Sequence, residues 1–128
     1  MAKILVVEDN SSLNAALKTI LKEAGHKVAA AFDGEVGLDI AEEAEPDLVL
    51  LDLRMPVMGG LDFLRHYKRN EKHPDVKIIV FSATTNQDDI DRAFELGADH
   101  FMSKNKATTK KLMTLINETV AERSEHLI

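Results

Sequence analysis

A chain of 128 residues fits one domain and is long enough to bury well over half the surface its unfolded form would expose. The absence of cysteine excludes a disulfide framework and thiol chemistry, and a net charge of -6 argues against a nucleic-acid-binding face, which needs basic residues along a phosphate backbone. No apolar stretch approaches the roughly 20 residues that span a bilayer, and no signal-peptide h-region opens the chain, so a cytoplasmic protein is expected.

Ile4-Leu5-Val6-Val7 is an unbroken aliphatic run, the pattern of a strand buried on both faces, and it ends on Glu8-Asp9. Leu13, Ala16, Leu17, Ile20, Leu21 and Ala24 then form one helical stripe, with Ser11 or Ser12 available to cap its start and Gly25 to close its end. Val28 to Ala31 is a weaker second strand, followed by a helix from about Glu35 to Ala44 that Pro46 ends. The third run, Leu48-Val49-Leu50-Leu51, ends on Asp52, and Leu61, Leu64 and Tyr67 mark the helix after it. Ile78-Ile79-Val80-Phe81 runs into Ser82, with Ile90, Ala93, Phe94 and Gly97 marking a fourth helix. Phe101-Met102 runs into Ser103-Lys104, and Leu112, Leu115, Ile116, Thr119 and Val120 give the fifth.

Helices between fully apolar strands are the crossovers that parallel strands require, so the pattern predicts an α/β fold of five βα units. The first strand starts within a few residues of Met1 and the last helix ends near the terminus, which predicts one domain over residues 1–128 with no room in it for an effector domain, whether the module is the whole protein or a piece cut from a longer one. The lysines at 104, 106, 110 and 111 are the nearest approach to a basic patch, and a solvated helix start accounts for them.

The carboxyl ends of parallel strands lie along one sheet edge, where ligands bind in open α/β folds. Glu8, Asp9, Asp52, Ser82 and Lys104 all stand at such ends. Two carboxylates about 4 Å apart repel by on the order of 4 kcal/mol at an effective dielectric near 20. A hard divalent cation offsets this, and Mg²⁺, which prefers oxygen ligands and retains waters, suits a site that also takes a phosphoryl group. Taken alone, Glu8-Asp9 serves equally as a cap of the first helix or as metal ligands. Asp52 precedes Leu53-Arg54-Met55-Pro56, so the chain turns just beyond it and leaves the carboxylate at the mouth of the sheet. A carboxylate there can attack phosphorus to form an acyl phosphate, with Ser82 donating to one phosphoryl oxygen and Lys104 neutralising another.

ILVVEDN at the start, DLVLLDLRMPVMGG around Asp52, IIVFSA and GADHFMSK, in this order and spacing, resemble the receiver domain of bacterial two-component response regulators over essentially the whole chain. The resemblance implies a flavodoxin-like doubly wound sheet of order 2-1-3-4-5 with helices on both faces. It implies Asp52 as phosphoacceptor, Asp9 as direct Mg²⁺ ligand, Glu8 as its water-mediated neighbour, and the main-chain carbonyl of Arg54 as a further ligand. Ser82 matches the switch hydroxyl, Lys104 the conserved-type lysine, and Phe101 the aromatic residue that rotates on activation. The implied activity is confined to the protein's own aspartyl phosphorylation and dephosphorylation. The implied partners are a sensor histidine kinase or histidine phosphotransfer protein, and a downstream target on the fourth-helix, fifth-strand, fifth-helix face near Asp91, Glu95, His100, Met102, Lys106 and Lys110. A monomer or a phosphorylation-dependent dimer fits this picture, without membrane or direct nucleic-acid binding. Arg54 and Thr84, each two residues beyond a site residue, flank the water path and would tune phosphoryl lifetime.

The sequence departs from the pattern in three places. Asn105 follows Lys104 where a proline, usually cis, is common, so a trans bond is expected, because a cis bond before a non-proline residue costs about 2.5–4 kcal/mol. Gly59-Gly60 replaces the usual Asp-Gly and predicts a looser start to the third helix. Phe101 has no hydroxyl, so a switch there works by packing. His26, His66, His73, His100 and His126 show no metal-ligand spacing, and Met55 and Met58 suit apolar filling around the Pro56 turn. Thr84 and Thr85 fit either a moving loop or a simply polar one.

Four other functions compete. A flavin- or nucleotide-binding flavodoxin-like protein would open its first loop with hydrogen-bond donors rather than two carboxylates. A Mg²⁺-dependent phosphohydrolase would carry a cap or long loop, and none is inserted. A receiver that binds partners without phosphorylation, or one that only shuttles phosphoryl groups in a relay, shares every motif.

Overall fold

The computed structural model describes residues 1–67 and 73–127, with side chains described through Arg123; the side chain of His126 lies outside the described residues. Strands β1 (Lys3–Val7), β2 (Lys27–Ala31), β3 (Leu48–Leu51), β4 (Lys77–Ser82) and β5 (His100–Ser103) alternate with helices α1 (Ser11–Glu23), α2 (Gly34–Ala44), α3 (Gly60–Tyr67), α4 (Gln87–Glu95) and α5 (Thr109–Leu127). All strand pairs are parallel and the sheet order is β2-β1-β3-β4-β5.

The aliphatic runs lack polar alternation because both sheet faces are covered. Leu5, Val7, Val49, Leu51, Ile78 and Val80 point to one face, where they meet Ala41 of α2, Phe63, Leu64 and Tyr67 of α3, and Ala93 of α4. Ile4, Val6, Leu48, Leu50, Ile79 and Phe81 point to the other, against Leu17 and Leu21 of α1 and Leu112 and Ile116 of α5. The period of two thus sorts one continuous run into two cores. Phe63, fully buried with its ring centroid 5.3 Å from that of Tyr67 in a tilted contact, belongs to the first core although the helical stripe in the sequence is carried equally well without it.

Helix α1 is capped by Asn10, whose Oδ1 accepts from the Leu13 N–H at 2.9 Å, and not by Ser11 or Ser12. Asn10 is the last residue with extended backbone, so the serines are already inside the helix and lack the geometry a cap needs. Gly25 does close the helix: at φ +94 it lets its own N–H reach Lys22 O (3.0 Å) and that of His26 reach Leu21 O (3.1 Å), a Schellman pair that a Cβ would disfavour. Helix α2 starts one residue before the expected Glu35, with Asp33 as cap, and its C-cap Glu45 directly precedes Pro46.

The start of α3 is tighter than a Gly-Gly pair suggests. The Gly60 N–H donates to Leu53 O at 3.0 Å, and a Cβ on Gly60 would lie 2.3 Å from the Asp52 carbonyl oxygen. Here glycine permits close approach of two backbones rather than freedom. No cis peptide bond occurs among the described residues, so the Lys104–Asn105 bond is trans, as expected. Met55 and Met58 pack against the first core, in the filling role read for them. Among the described residues no helix is long and apolar enough to cross a membrane.

Candidate phosphoryl-transfer site

Strand register assembles the site. Val7 lies opposite both Ala31 and Leu51, so the residues that follow β1 and β3 emerge side by side. The Glu8 N–H donates to Ala31 O and the Asp52 N–H to Val7 O, each at 3.0 Å, which continues the ladder one step past the strands. Glu8, Asp9 and Asp52 consequently bring one carboxylate oxygen each within 4.8 Å of one another. Glu8 and Asp52 are buried, at 2% and 6% exposure, whereas Asp9 is exposed.

Lys104 enters from the far side. Its N–H donates to Ser82 O at 2.9 Å, fixing the turn after β5, and its ammonium donates to Glu8 Oε1 at 2.5 Å and Asp52 Oδ2 at 3.0 Å. One ammonium shared between two buried carboxylates leaves the cluster underneutralised. Burial pushes the Glu8 carboxyl above its ordinary range; hydrogen bonds from Lys104 and the Asn10 N–H pull it back only in part, and the Asp52 charge adds to the rise. For Lys104, burial works to lower the pKa, but the hydrogen bonds to Glu8 and Asp52 outweigh it and hold the ammonium above the ordinary lysine range.

Both Glu8 oxygens are engaged by protein donors, Oε1 by Lys104 and Oε2 by the Asn10 N–H at 3.1 Å. Asp52 Oδ1 accepts from the Arg54 N–H at 3.3 Å. The Arg54 side chain turns away to Asp89 on α4, at 3.4 Å and largely exposed. Ser82, the last residue of β4 and 1% exposed, accepts from the Thr84 N–H at 3.3 Å; Thr84 is itself buried, with its Oγ1 accepting from the Asn86 N–H at 3.2 Å. Phe101 lies opposite Val80, so by the strand period it shares a sheet face with Ser82, and it packs part-buried on the first core.

The fold therefore brings Glu8, Asp9, Asp52 and Lys104 together, sets Ser82 at the adjacent strand end, and keeps Phe101 behind it. The hydrogen bond that caps α1 comes from Asn10 and not from Glu8 or Asp9, which leaves the carboxylates only the macrodipole as a helix-stabilising role. The donor set is all oxygen and carries excess negative charge, which fits a hard metal cation. Two residues escaped the sequence reading. Asn10 was overshadowed by the two serines beside it. Asn14 carries no signal in its residue type, but its spacing to Leu17 and Leu21 puts it on the buried side of α1.

The sequence profile of the response regulator receiver domain matches residues 4–117. The nitrate/nitrite response regulator protein NarL of Escherichia coli K12 is 35% identical over 123 residues, covering 94% of this chain and 56% of NarL. Protein CcdB of Bacillus subtilis 168 is 36% identical over 113 residues, covering 88% of this chain and 92% of CcdB. The chain spans about half the length of the first curated relatives it matches, 56% of NarL and 45% of AfsQ1 of Streptomyces coelicolor. A CheY-like receiver domain protein of Methanospirillum hungatei superposes with a TM-score of 0.91 at 25% identity over 98% of both chains. Chemotaxis protein CheY4 of Vibrio cholerae superposes at 0.84 and 26% identity, over 93% of this chain and 98% of that one.

Proposed function

The chain belongs to the response regulator receiver domain family, and we propose from this that it is a phosphoacceptor of the two-component type, in which Asp52 takes a phosphoryl group from a histidine kinase or phosphotransfer protein in the cytoplasm. The observation that carries the reading is a buried Asp52 at a strand end, bonded to Lys104 and grouped with two further carboxylates. An Asp52 carboxylate oxygen attacks phosphorus as the bond from phosphorus to the donor imidazole nitrogen breaks, its electron pair leaving with the imidazole. Lys104, already poised on Asp52, moves its charge to a phosphoryl oxygen, and the Ser82 hydroxyl exchanges its contact with the Thr84 N–H for another. Asp9, Asp52 and the Arg54 carbonyl, with Glu8 through water, would hold Mg²⁺, which when bound would supply the remaining positive charge. The exposed Asp9 suits direct ligation, and the doubly engaged Glu8 suits a contact through water.

Incubation with a small acyl phosphate and Mg²⁺ should add a single phosphoryl group by mass, absent from Asp52→Asn and absent when the metal is chelated. Modification that persists in Asp52→Asn would move the acceptor to another residue.

Output follows from the same site. Residues 1–128 act as one receiver domain, and a partner reads phosphorylation on the α4-β5-α5 face, where β5 is a half-buried edge strand. Phosphoryl oxygens at Asp52 draw Ser82 inward and let Phe101 turn into the vacated space, a population shift set by differential contacts. With a beryllofluoride mimic, amide shifts should change across residues 82–110; changes confined to residues 8–10 and 52–60 would favour a phosphoryl shuttle in a relay instead.

A further inference from the structure

Asn14 is a polar side chain on the buried face of α1, 2% exposed, and it is already spared the task of capping that helix because Asn10 performs it. Its Nδ2 donates to the Glu8 carbonyl at 2.9 Å and to the Ala31 carbonyl at 3.1 Å. The Glu8 N–H donates to that same Ala31 carbonyl at 3.0 Å, so the ends of β1 and β2 and the first turn of α1 meet at one amide. A polar group in such a place costs stability unless fully hydrogen-bonded, and the spacing to Leu17 and Leu21 would accept an apolar residue. The Glu8 carbonyl belongs to the planar peptide unit that joins Glu8 to Asp9. Holding that oxygen fixes the plane, and with it the directions in which both carboxylates leave the chain.

We infer that Asn14 is a positioning residue for the Glu8-Asp9 pair, acting on the cation only through their shared peptide plane. The inference rests on the Mg²⁺ reading given above. Outer-shell partners of metal ligands typically change affinity by about 10–100-fold when removed.

Mg²⁺ titrations followed by amide chemical shifts, without any phosphodonor, test it on the full chain. Asn14→Leu, close in volume but without a donor, should weaken Mg²⁺ binding by about 10–100-fold. Leu17→Ala, which opens the same core one turn along the same helix, should leave the dissociation constant close to that of the parent although it lowers the melting temperature. Asn14→Ser, smaller and easier to accommodate, should weaken binding in the same direction and serves where Asn14→Leu does not fold. An Asn14 variant binding Mg²⁺ as tightly as the parent, or Leu17→Ala losing as much affinity, overturns the positioning role and leaves the metal reading intact. A parent protein that binds no Mg²⁺, with Asp9→Asn indistinguishable from it, overturns the metal reading itself.

Discussion

Asp9→Asn should make the metal-free protein more stable than the parent and abolish the stabilisation that Mg²⁺ brings. Asp9 faces two buried carboxylates with one lysine between them, and a like-charge contact at 4 Å costs about 1 kcal/mol even in a water-like dielectric. The opposing effect is attraction of Asp9 to the N-terminus of α1, about 0.3–1 kcal/mol. Repulsion from two neighbours outweighs it, and the cap hydrogen bond that would tip the balance belongs to Asn10. In the parent, Mg²⁺ binds the folded site and not the unfolded chain, so it should raise the unfolding free energy by about 2.7 kcal/mol at 100 times its dissociation constant. Thermal unfolding of both proteins with and without Mg²⁺ decides the matter. A metal-free Asp9→Asn that melts below the parent would return Asp9 to a helix-stabilising role.

Gly60→Ala should destabilise the fold and slow phosphorylation together. In an ordinary helix interior this substitution adds about 1 kcal/mol of stability. Here the new Cβ would sit 2.3 Å from the Asp52 carbonyl oxygen and 2.8 Å from Leu53 Cα, both backbone atoms that yield only if the chain around the acceptor moves. Overpacking of this kind costs about 1–3 kcal/mol, so the sign of the propensity effect reverses. Because α3 would push on the peptide that carries Asp52, the rate of acyl phosphate labelling should fall at temperatures where the variant is fully folded. Denaturant unfolding and labelling rates measured on the same preparation test both halves. A variant more stable than the parent, labelled at the parent's rate, would mean that α3 and the acceptor loop are not in contact.

The elements themselves were legible because their causes are local. Unbroken four-residue runs of Val, Leu, Ile and Phe between turn signals suit strands covered on both faces, and the stripes at Leu13 to Ala24 and Leu112 to Val120 suit amphipathic helices. Errors fell where two local solutions are nearly equal in energy. Asn10, Ser11 and Ser12 are all good caps, and the residue that wins is set by where β1 releases the chain. Gly59-Gly60 suggests a loose helix start because a glycine's conformational cost is visible in sequence and the backbone lying against it is not.

By itself the sequence determined which groups stand at strand ends: Glu8, Asp9, Asp52, Ser82 and Lys104 each follow or close an apolar run, and that depends only on neighbouring residues. The tertiary structure alone decided which of them touch. Placing β1 between β2 and β3 sets Glu8 beside Asp52, and placing β5 next to β4 lets Lys104 reach Glu8 across the sheet. It also decided that the Asn14 amide faces the Glu8 carbonyl. Strand adjacency and side-chain direction follow from burial summed over both sheet faces, a long-range quantity that no local window of the chain contains.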